Sequence, residues 1–428
     1  MLFPEELLHF IWQFRLFDQF NLRTVSGETI ELLAVGQHNL DAGPDFEFAQ
    51  LRIGETLWSG HVEIHIYAKE WNQHKHHLDE RYNSTVLHVV WEYDAAAMRH
   101  DGTPLPTLQL KNYVNPAMVD KYLELMGNLN WIPCEKQIGR FTNDIVASVW
   151  SERMSVERLE HKCQYVESLL DRSKNDWEKT LMMLMGRAFG MKVNATSFEA
   201  LMEKLDSSLL FKYRSEPFKL EAVLFGMSGL LPTKEADDYS TKLAAEFEYL
   251  QTLHGLRELS KLEWKFHRMR PYNFPTFRLA QLAALCAHEM YWFDKICMTE
   301  NLDDIMVLLK NIRTHAYWLN HFRFGSTTVP HGNSFSDSFI THLILNCFVP
   351  VLFAYGKHVG SQAYTSKALR WLQHLPQESN AITKKFEILG WRNDSAATSQ
   401  GILHLKKEYC DKRRCLSCSI GLHLLRGQ

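Results

Sequence analysis

The 428-residue chain is 46% hydrophobic and 23% charged, an ordinary balance for a soluble globular protein of two or three domains. Its 47 basic residues against 50 acidic ones leave a net charge of −3, which excludes a globally basic nucleic-acid binder and requires any anion-binding surface to be local. Met1–Glu6 lacks the basic stretch of a secretion signal, and the most apolar run, Phe339–Tyr355, holds His342, Asn346 and Pro350 and falls short of the ~18 apolar residues of a membrane span. The expectation is a cytoplasmic protein with no membrane partner, whose cysteines are reduced or metal-bound.

In chain order, Pro4 to Phe17 reads as a helix. Pro4 suits its first turn, Glu5 and Glu6 its positive end, and Leu7, Leu8, Ile11, Phe14 and Phe17 its apolar face. Strands are predicted over Ile30–Val35, Asp45–Ile53 and Leu57–Tyr67. A helix is predicted over Glu70–Asn83, a strand over Thr85–Trp91 and a further strand over Leu105–Lys111. Gly43-Pro44-Asp45 delivers a carboxylate after a forced turn. In the third strand the two-residue period puts His61, Glu63, His65 and Tyr67 on one face and Val62, Ile64 and Ile66 on the other. A carboxylate and an imidazole side by side, near Asp45, suit a divalent metal. The plainer alternative is that Asp45 caps a turn and Glu63 faces solvent on an edge strand. The histidines His61, His65, His74, His76, His77 and His88, with Asp79, also suit zinc, although no HExxH is present and most such histidines are ordinary polar groups.

From about Asn115 the texture is helical. The longer periodicities are Asp144–Ser168, Lys234–Leu253, Phe277–Cys297 and Asp337–Gly356. The fold class is therefore mixed α/β. An α/β domain is expected over 1–114, an α-helical domain over 115–405 and a cysteine-rich metal-binding segment over 406–428. In the helical part Trp264–Arg278 interleaves cations with aromatics. Arg268, Arg270 and Arg278 there, with Lys412, Arg413 and Arg414 near the C-terminus, are candidate nucleic-acid contacts. Arg268 and Arg270 suit helix capping equally well.

Cys410-x4-Cys415-x2-Cys418 is the sharpest local signal outside the first domain, since three thiols so close in a reducing compartment suit a metal. Cys134, after a proline-stiffened turn, is the first choice for fourth ligand, with His404 or His423 as replacement. Cys163, Cys286, Cys297 and Cys347 sit in apolar runs and read as core.

The order helix, three strands, helix, strand, with Pro44-Asp45 on the second strand and Glu63-x-His65 on the third, resembles the PD-(D/E)xK nuclease superfamily. The resemblance implies that Asp45 and Glu63 hold Mg²⁺ or Mn²⁺ and that His65 stands where the family has lysine. It also implies that Lys75 could supply a displaced ammonium, and that Glu5 or Glu6 matches a first-helix acid. Tyr82, with His76 and Asp79, matches the tyrosine of the RecB-type branch. The cysteine pattern resembles the iron–sulfur staple of some nucleases of that superfamily, with different spacing, which leaves Zn²⁺ and [4Fe–4S] as alternatives. Across nearly its full length the chain resembles a bacterial family, domain of unknown function 2851. The resemblance rests on Ala42–Phe46, Gly60–His65, Glu70–Asn83, Val86–Trp91, Arg268–Ala283 and Tyr409–Gly421. The expected activity is metal-dependent hydrolysis of DNA or RNA. The alternatives are a non-catalytic nucleic-acid-binding or scaffold protein and a histidine-ligated zinc hydrolase.

Overall fold

The computed structural model describes residues 3–141, 145–234, 236–259, 263–289 and 291–426. They form a mixed α/β protein with an N-terminal sheet and a large helical region. One unit comprises residues 1–150, 389–391 and 406–428; the other comprises 151–388 and 392–405. The first unit thus runs well past residue 114 and takes in the cysteine-rich C-terminal segment.

In the first unit α1 spans Glu6–Gln13, shorter than its apolar pattern predicts. Phe14 caps it and Arg15 leaves the helical region at φ 51°. Leu7, Leu8 and Ile11 are fully buried. The sheet has six strands, β1 (Ile30–Ala34), β2 (Gln37–His38), β3 (Phe46–Ile53), β4 (Thr56–Tyr67), β5 (Thr85–Glu92) and β6 (Thr107–Gln109). Their order is β1-β3-β4-β5-β6, with β2 also on β3. The β1/β3, β2/β3 and β3/β4 pairs are antiparallel, whereas β4/β5 and β5/β6 are parallel.

The position of β4 decides the site. It lies between β3 and β5, so neither edge is free, and its second half is buried on both faces. Glu63 and His65 are 5% and 1% exposed, which rules out the solvent-facing edge reading for Glu63. Val62, Ile64 and Ile66 join Leu7, Leu8 and Ile11 in one core. Across β3/β4 the register slips by one residue between Phe46 and Ala49, where Phe48 takes φ 59°. This bulge re-aims the start of β3, as bulges beside functional sites do. A parallel neighbour requires a crossover. Here it is not the single helix expected over Glu70–Asn83. α2 covers only Glu70–Gln73, and 3₁₀ turns follow at His76–Leu78 and Glu80–Tyr82. Lys75, at φ 61°, breaks the helical ladder, and the Asp79 side chain caps the next turn by accepting the Arg81 N–H.

α3 (Pro116–Gly127) starts as its residues dictate, with Pro116 in the first turn and the Asn115 side chain accepting the Ala117 N–H. Leu425, from the closing helix Ser419–Arg426, is buried in the same core as α1 and the sheet.

The second unit is almost wholly helical, around the fully buried Phe198, Phe225, Phe277, Trp292 and Phe348. The helix expected over 277–297 is two, Pro275–His288 and Trp292–Met298. Helix α4 (Ile145–Arg172) matches the 144–168 periodicity, although Asp144 itself lies outside the described residues. Asp238–His254 matches the 234–253 expectation, of which Glu235 lies outside them. Asp337–His358 is continuous. A π turn over Ile344–Phe348 precedes Pro350, whose ring would clash with a carbonyl in a regular α-helix. By length and composition this helix is apolar enough to cross a membrane, yet 78% of its apolar window is buried inside the protein.

Candidate metal centre

The turn Gly43-Pro44-Asp45 ends where β3 begins, and there the chain cross-bonds to β4 through both carboxylates. The Asp45 N–H donates to Glu63 Oε2 at 3.2 Å, and the Ile64 N–H donates to Asp45 Oδ2 at 2.8 Å. The two acids are thus locked side by side by the backbone. Burial, and then the Asp45 charge, push the Glu63 carboxyl well above the usual range, and Glu5 adds to the effect. Among the described residues its ion-pair partners are His65 and His76, with no lysine or arginine. Lys75 is exposed at its left-handed turn.

Glu5, the N-cap of α1, and His9, one helical turn on, complete this side. His9 Nε2 lies 3.4 Å from Asp45 Oδ2 and 3.8 Å from Glu5 Oε1. Burial works against a charge on His9, but the hydrogen bond and charge of Asp45 outweigh it and hold the imidazole above its ordinary value. Glu5 is pushed up to about 7 by burial, although His9 pulls it down. Glu5, and not the exposed Glu6, is therefore the first-helix acid that turns inward. His9 went unnoticed in the sequence. Its only signal was the i, i+4 spacing from Glu5 on an otherwise apolar helix face.

The Glu63 oxygens divide their surroundings. Oε2 faces Asp45, while Oε1 lies 3.3 Å from His76 Nε2 and 3.6 Å from His65 Nε2. His65 is held at both ring nitrogens, with Nδ1 2.9 Å from His88 Nε2 and Nε2 3.2 Å from His74 Nδ1. Burial, and then the neighbouring imidazoles of His88, His76 and His74, press His65 down to about 2. It stays neutral and does not reproduce a lysine's charge. His76 is lowered to about 4 by burial and His74, and His88 to about 3 by burial and His76. His61, His77 and Asp79 stand outside this group. His61 packs on Phe48, the His77 backbone oxygen accepts from His100 Nδ1, and Asp79 pairs with Arg81.

Tyr82 lies with its ring 4.0 Å from that of His76 and donates its hydroxyl to Gly43 O at 3.2 Å, pinning the turn that carries Asp45. Burial, and then Glu63 and Asp45, raise it to about 12, so it remains a phenol. A cavity of about 490 Å³ opens beside His76 and Tyr82, lined also by Trp58, Trp71, Arg99 and His100. Arg99 lies over Trp58 and donates to Thr85 O at 2.6 Å.

A family model described as a protein of unknown function, DUF2851, matches residues 5–381. The chain belongs to the DUF2851 family. No curated protein and no solved structure matches it. The matched span of this DUF2851 chain covers the whole carboxylate–histidine centre, and it ends before Cys410, Cys415 and Cys418.

Those three cysteines and Cys134 of the DUF2851 chain are neighbours. Burial raises Cys134 to about 12, and the Cys418 and Cys415 sulfurs add to it; Cys410 is pushed well up by burial and then by Cys134, Cys418 and Cys415. Arg413 ties the two segments together by donating to the Met126 and Asn128 carbonyls at the end of α3. The N–H groups of Ile420 and Gly421 and the Trp150 indole favour the Cys418 thiolate against its burial. Among the described residues, His65, His74 and His76 are the one set of three metal-ligating atoms lying within 4.8 Å of one another, so no three of the sulfurs approach that closely.

The candidate nucleic-acid residues divide. Arg268, Arg270 and Arg414 are exposed. Arg278 is buried, bonded to Gln281 and Asn273 and lying 3.7 Å over the Phe339 ring, so it holds the helical core and grips no external phosphate. Arg413 is consumed by the α3 carbonyls and Lys412 by Glu408.

Proposed function

We propose that this DUF2851 chain is a metal-dependent phosphodiester hydrolase acting on DNA or RNA, with a PD-(D/E)xK-like core. The observation that carries the reading is the Asp45–Glu63 pair, cross-bonded by neighbouring backbone amides. The donor set fits a hard cation, because two carboxylates are forced together and, among the described residues, pair only with histidines. Asp45 and Glu63 would hold Mg²⁺ or Mn²⁺, which supplies a lowered pKa for water and neutralises phosphate charge. His9, which Asp45 draws toward its charged form, would be the cation-prone group on this side in place of the missing lysine. His65 is a fixed neutral imidazole, and Tyr82 positions the Asp45 turn. Trp58, Trp71 and Arg99 in the adjoining cavity offer stacking faces and a cation of the kind that unpaired bases and phosphates take. Arg268, Arg270 and Arg414 remain as exposed candidates for further backbone contacts.

The cysteine site completes the proposal. A tetrahedral zinc holds its sulfurs about 3.8 Å apart, from Zn–S bonds of about 2.3 Å. Cys134, Cys410, Cys415 and Cys418 would hold Zn²⁺ or a [4Fe–4S] cluster, fastening the C-terminal segment within the first unit. All eight cysteines are unbridged, which supports a cytoplasmic setting.

The test is cleavage of single- and double-stranded DNA and RNA by the purified chain with Mn²⁺ and with EDTA. Cleavage that needs Mn²⁺ and is lost in Asp45→Ala and Glu63→Ala is the expected result. Cleavage that survives both substitutions overturns the reading, and salt-sensitive binding without cleavage replaces it with a nucleic-acid-binding scaffold.

A further inference from the structure

A second set of donors converges on the other oxygen of Glu63. His65 Nε2 lies 3.2 Å from His74 Nδ1 and 3.6 Å from Glu63 Oε1, and His76 Nε2 lies 3.3 Å from Glu63 Oε1. An ion with M–N bonds of about 2.0–2.1 Å in tetrahedral geometry has its ligand atoms about 3.4 Å apart, so these separations are those of a tetrahedron's edges. One proton between His65 Nε2 and His74 Nδ1 makes a hydrogen bond without a metal, and an ion takes the place of that proton when both nitrogens turn their lone pairs to it.

The chain builds this arrangement deliberately. His65 comes from the central strand β4. His74 ends α2, and the left-handed Lys75 at φ 61° stops the helix so that His76 returns to the same cluster. That backbone costs about 1 kcal/mol or more for a non-glycine residue and persists only where its surroundings demand it. Behind the cluster, His88 is fully buried on β5, and its Nε2 engages His65 Nδ1, which leaves His65 Nε2 to face His74 and Glu63. Metal-ligating histidines are normally oriented in this way by a partner on the other nitrogen. His76 Nε2 is sealed from solvent with no hydrogen-bond partner. Trp71 and Tyr82 wall the cluster on its protein side, with ring centroids 5.4 Å and 4.0 Å from His76.

We propose that His65, His74 and His76 form a second metal site, for a zinc-class transition-metal ion, and that Glu63 is the edge it shares with the Asp45 site, making the centre dinuclear. The dinuclear part rests on the proposed carboxylate site, whereas the imidazole site stands on its own geometry. Imidazole nitrogens select zinc and its neighbours, and carboxylate oxygens select magnesium and manganese. The two halves of the centre therefore differ in ligand class. With Glu63 Oε1 as the shared donor, the three imidazoles fill the four positions of a tetrahedral ion, which binds a further oxygen only by expanding to five. His76 borders the 490 Å³ cavity with its ring, while its Nε2 faces the cluster.

The test uses Co²⁺ as the probe on the full chain, stripped with chelator and carrying Cys415→Ser so that the cysteine site does not compete. Co²⁺ in a four-coordinate nitrogen and oxygen field gives visible absorption without sulfur charge-transfer bands. One equivalent is expected to produce it, with affinity falling at least 100-fold in His74→Ala and in His76→Gln. His74 is exposed, so its replacement leaves the fold intact. Asp45→Asn is expected to keep the Co²⁺ signal and to lose Mn²⁺ binding read by electron paramagnetic resonance. Co²⁺ absorption that is absent, or unchanged in both histidine variants, overturns the imidazole site. Mn²⁺ binding unchanged in Asp45→Asn, with the Co²⁺ signal intact, overturns the carboxylate site and the dinuclear claim while leaving the imidazole site standing.

Discussion

Asp45→Asn separates the cost of the carboxylate pair from its use. Glu63 sits above the ordinary carboxyl range because it is buried and because Asp45 is beside it. Two unit charges about 5 Å apart repel by about 3 kcal/mol at an effective dielectric of about 20. The amide keeps an oxygen to accept the Ile64 N–H, a bond of 2.8 Å in the native chain, and removes the charge. It also removes the ionic partner of His9, 3.4 Å away, which returns about 1 kcal/mol of the gain. The net is a metal-free variant about 1–2 kcal/mol more stable than the native chain wherever Glu63 would have to ionise. A carboxyl raised by folding contributes stability that is full below its unfolded value of about 4.5 and is lost as pH rises through its higher folded value. The variant should therefore lie about 1 kcal/mol below the native chain near pH 4, where only the His9 contact is lost, and pull ahead as pH rises. Urea midpoints in EDTA from pH 4 to pH 9, repeated with Mn²⁺, measure this. Mn²⁺ should stabilise the native chain and leave the variant nearly unchanged. Parallel profiles for the two proteins in EDTA would refute the charge conflict and, with it, the argument that the pair is held together for a cation.

Two further outcomes follow from the same site. His65, His76 and His88 are held neutral, lowered from an ordinary 6.5 to about 2, 4 and 3, so their stability is present above pH 6.5 and is lost as pH falls. Below about pH 5.5 the unfolded rings are nearly fully protonated, so unfolding takes up nearly three protons at them, up to two retained by folded Glu63 and Glu5 oppose these, and about one net proton or about 1.4 kcal/mol per pH unit is left. Urea midpoints in EDTA that stay flat from pH 5.5 to pH 4.5 would contradict the neutral cluster. Gly60→Ala should cost about 2–3 kcal/mol, because its Cβ would stand 2.4 Å from Ser84 O and 2.5 Å from Val86 Cγ1 where β4 meets β5. A melting temperature equal to that of the native chain would show that the close strand approach is not rigid.

The local chemistry of the first unit was legible in the chain itself. Period-two alternation placed the strands to within a residue or two, and Gly43-Pro44 announced the turn that delivers Asp45. Glu63 and His65 share a face because alternate residues of any strand do. The grouping of Cys410, Cys415 and Cys418 was likewise readable from spacing, and Cys134 joins them in the fold. What periodicity could not supply was everything that depends on neighbours distant in sequence. Whether Glu63 met solvent or protein was settled by β5 adding parallel to β4, a long-range pairing with no local signal. The stretch 70–83 has helical composition, yet tertiary demand at Lys75 overrides it, and without that kink His74 and His76 would lie on different faces of a helix. His9 enters the centre only because α1 packs on β4. Arg278 leaves the candidate nucleic-acid surface because Gln281, Asn273 and Phe339 enclose it. Sequence determines which side chains have the chemistry to bind a metal or a phosphate. Only packing decides which of them are desolvated, aimed and brought within a bond length of the same ion, because those properties belong to pairs of residues that the chain brings together from far apart.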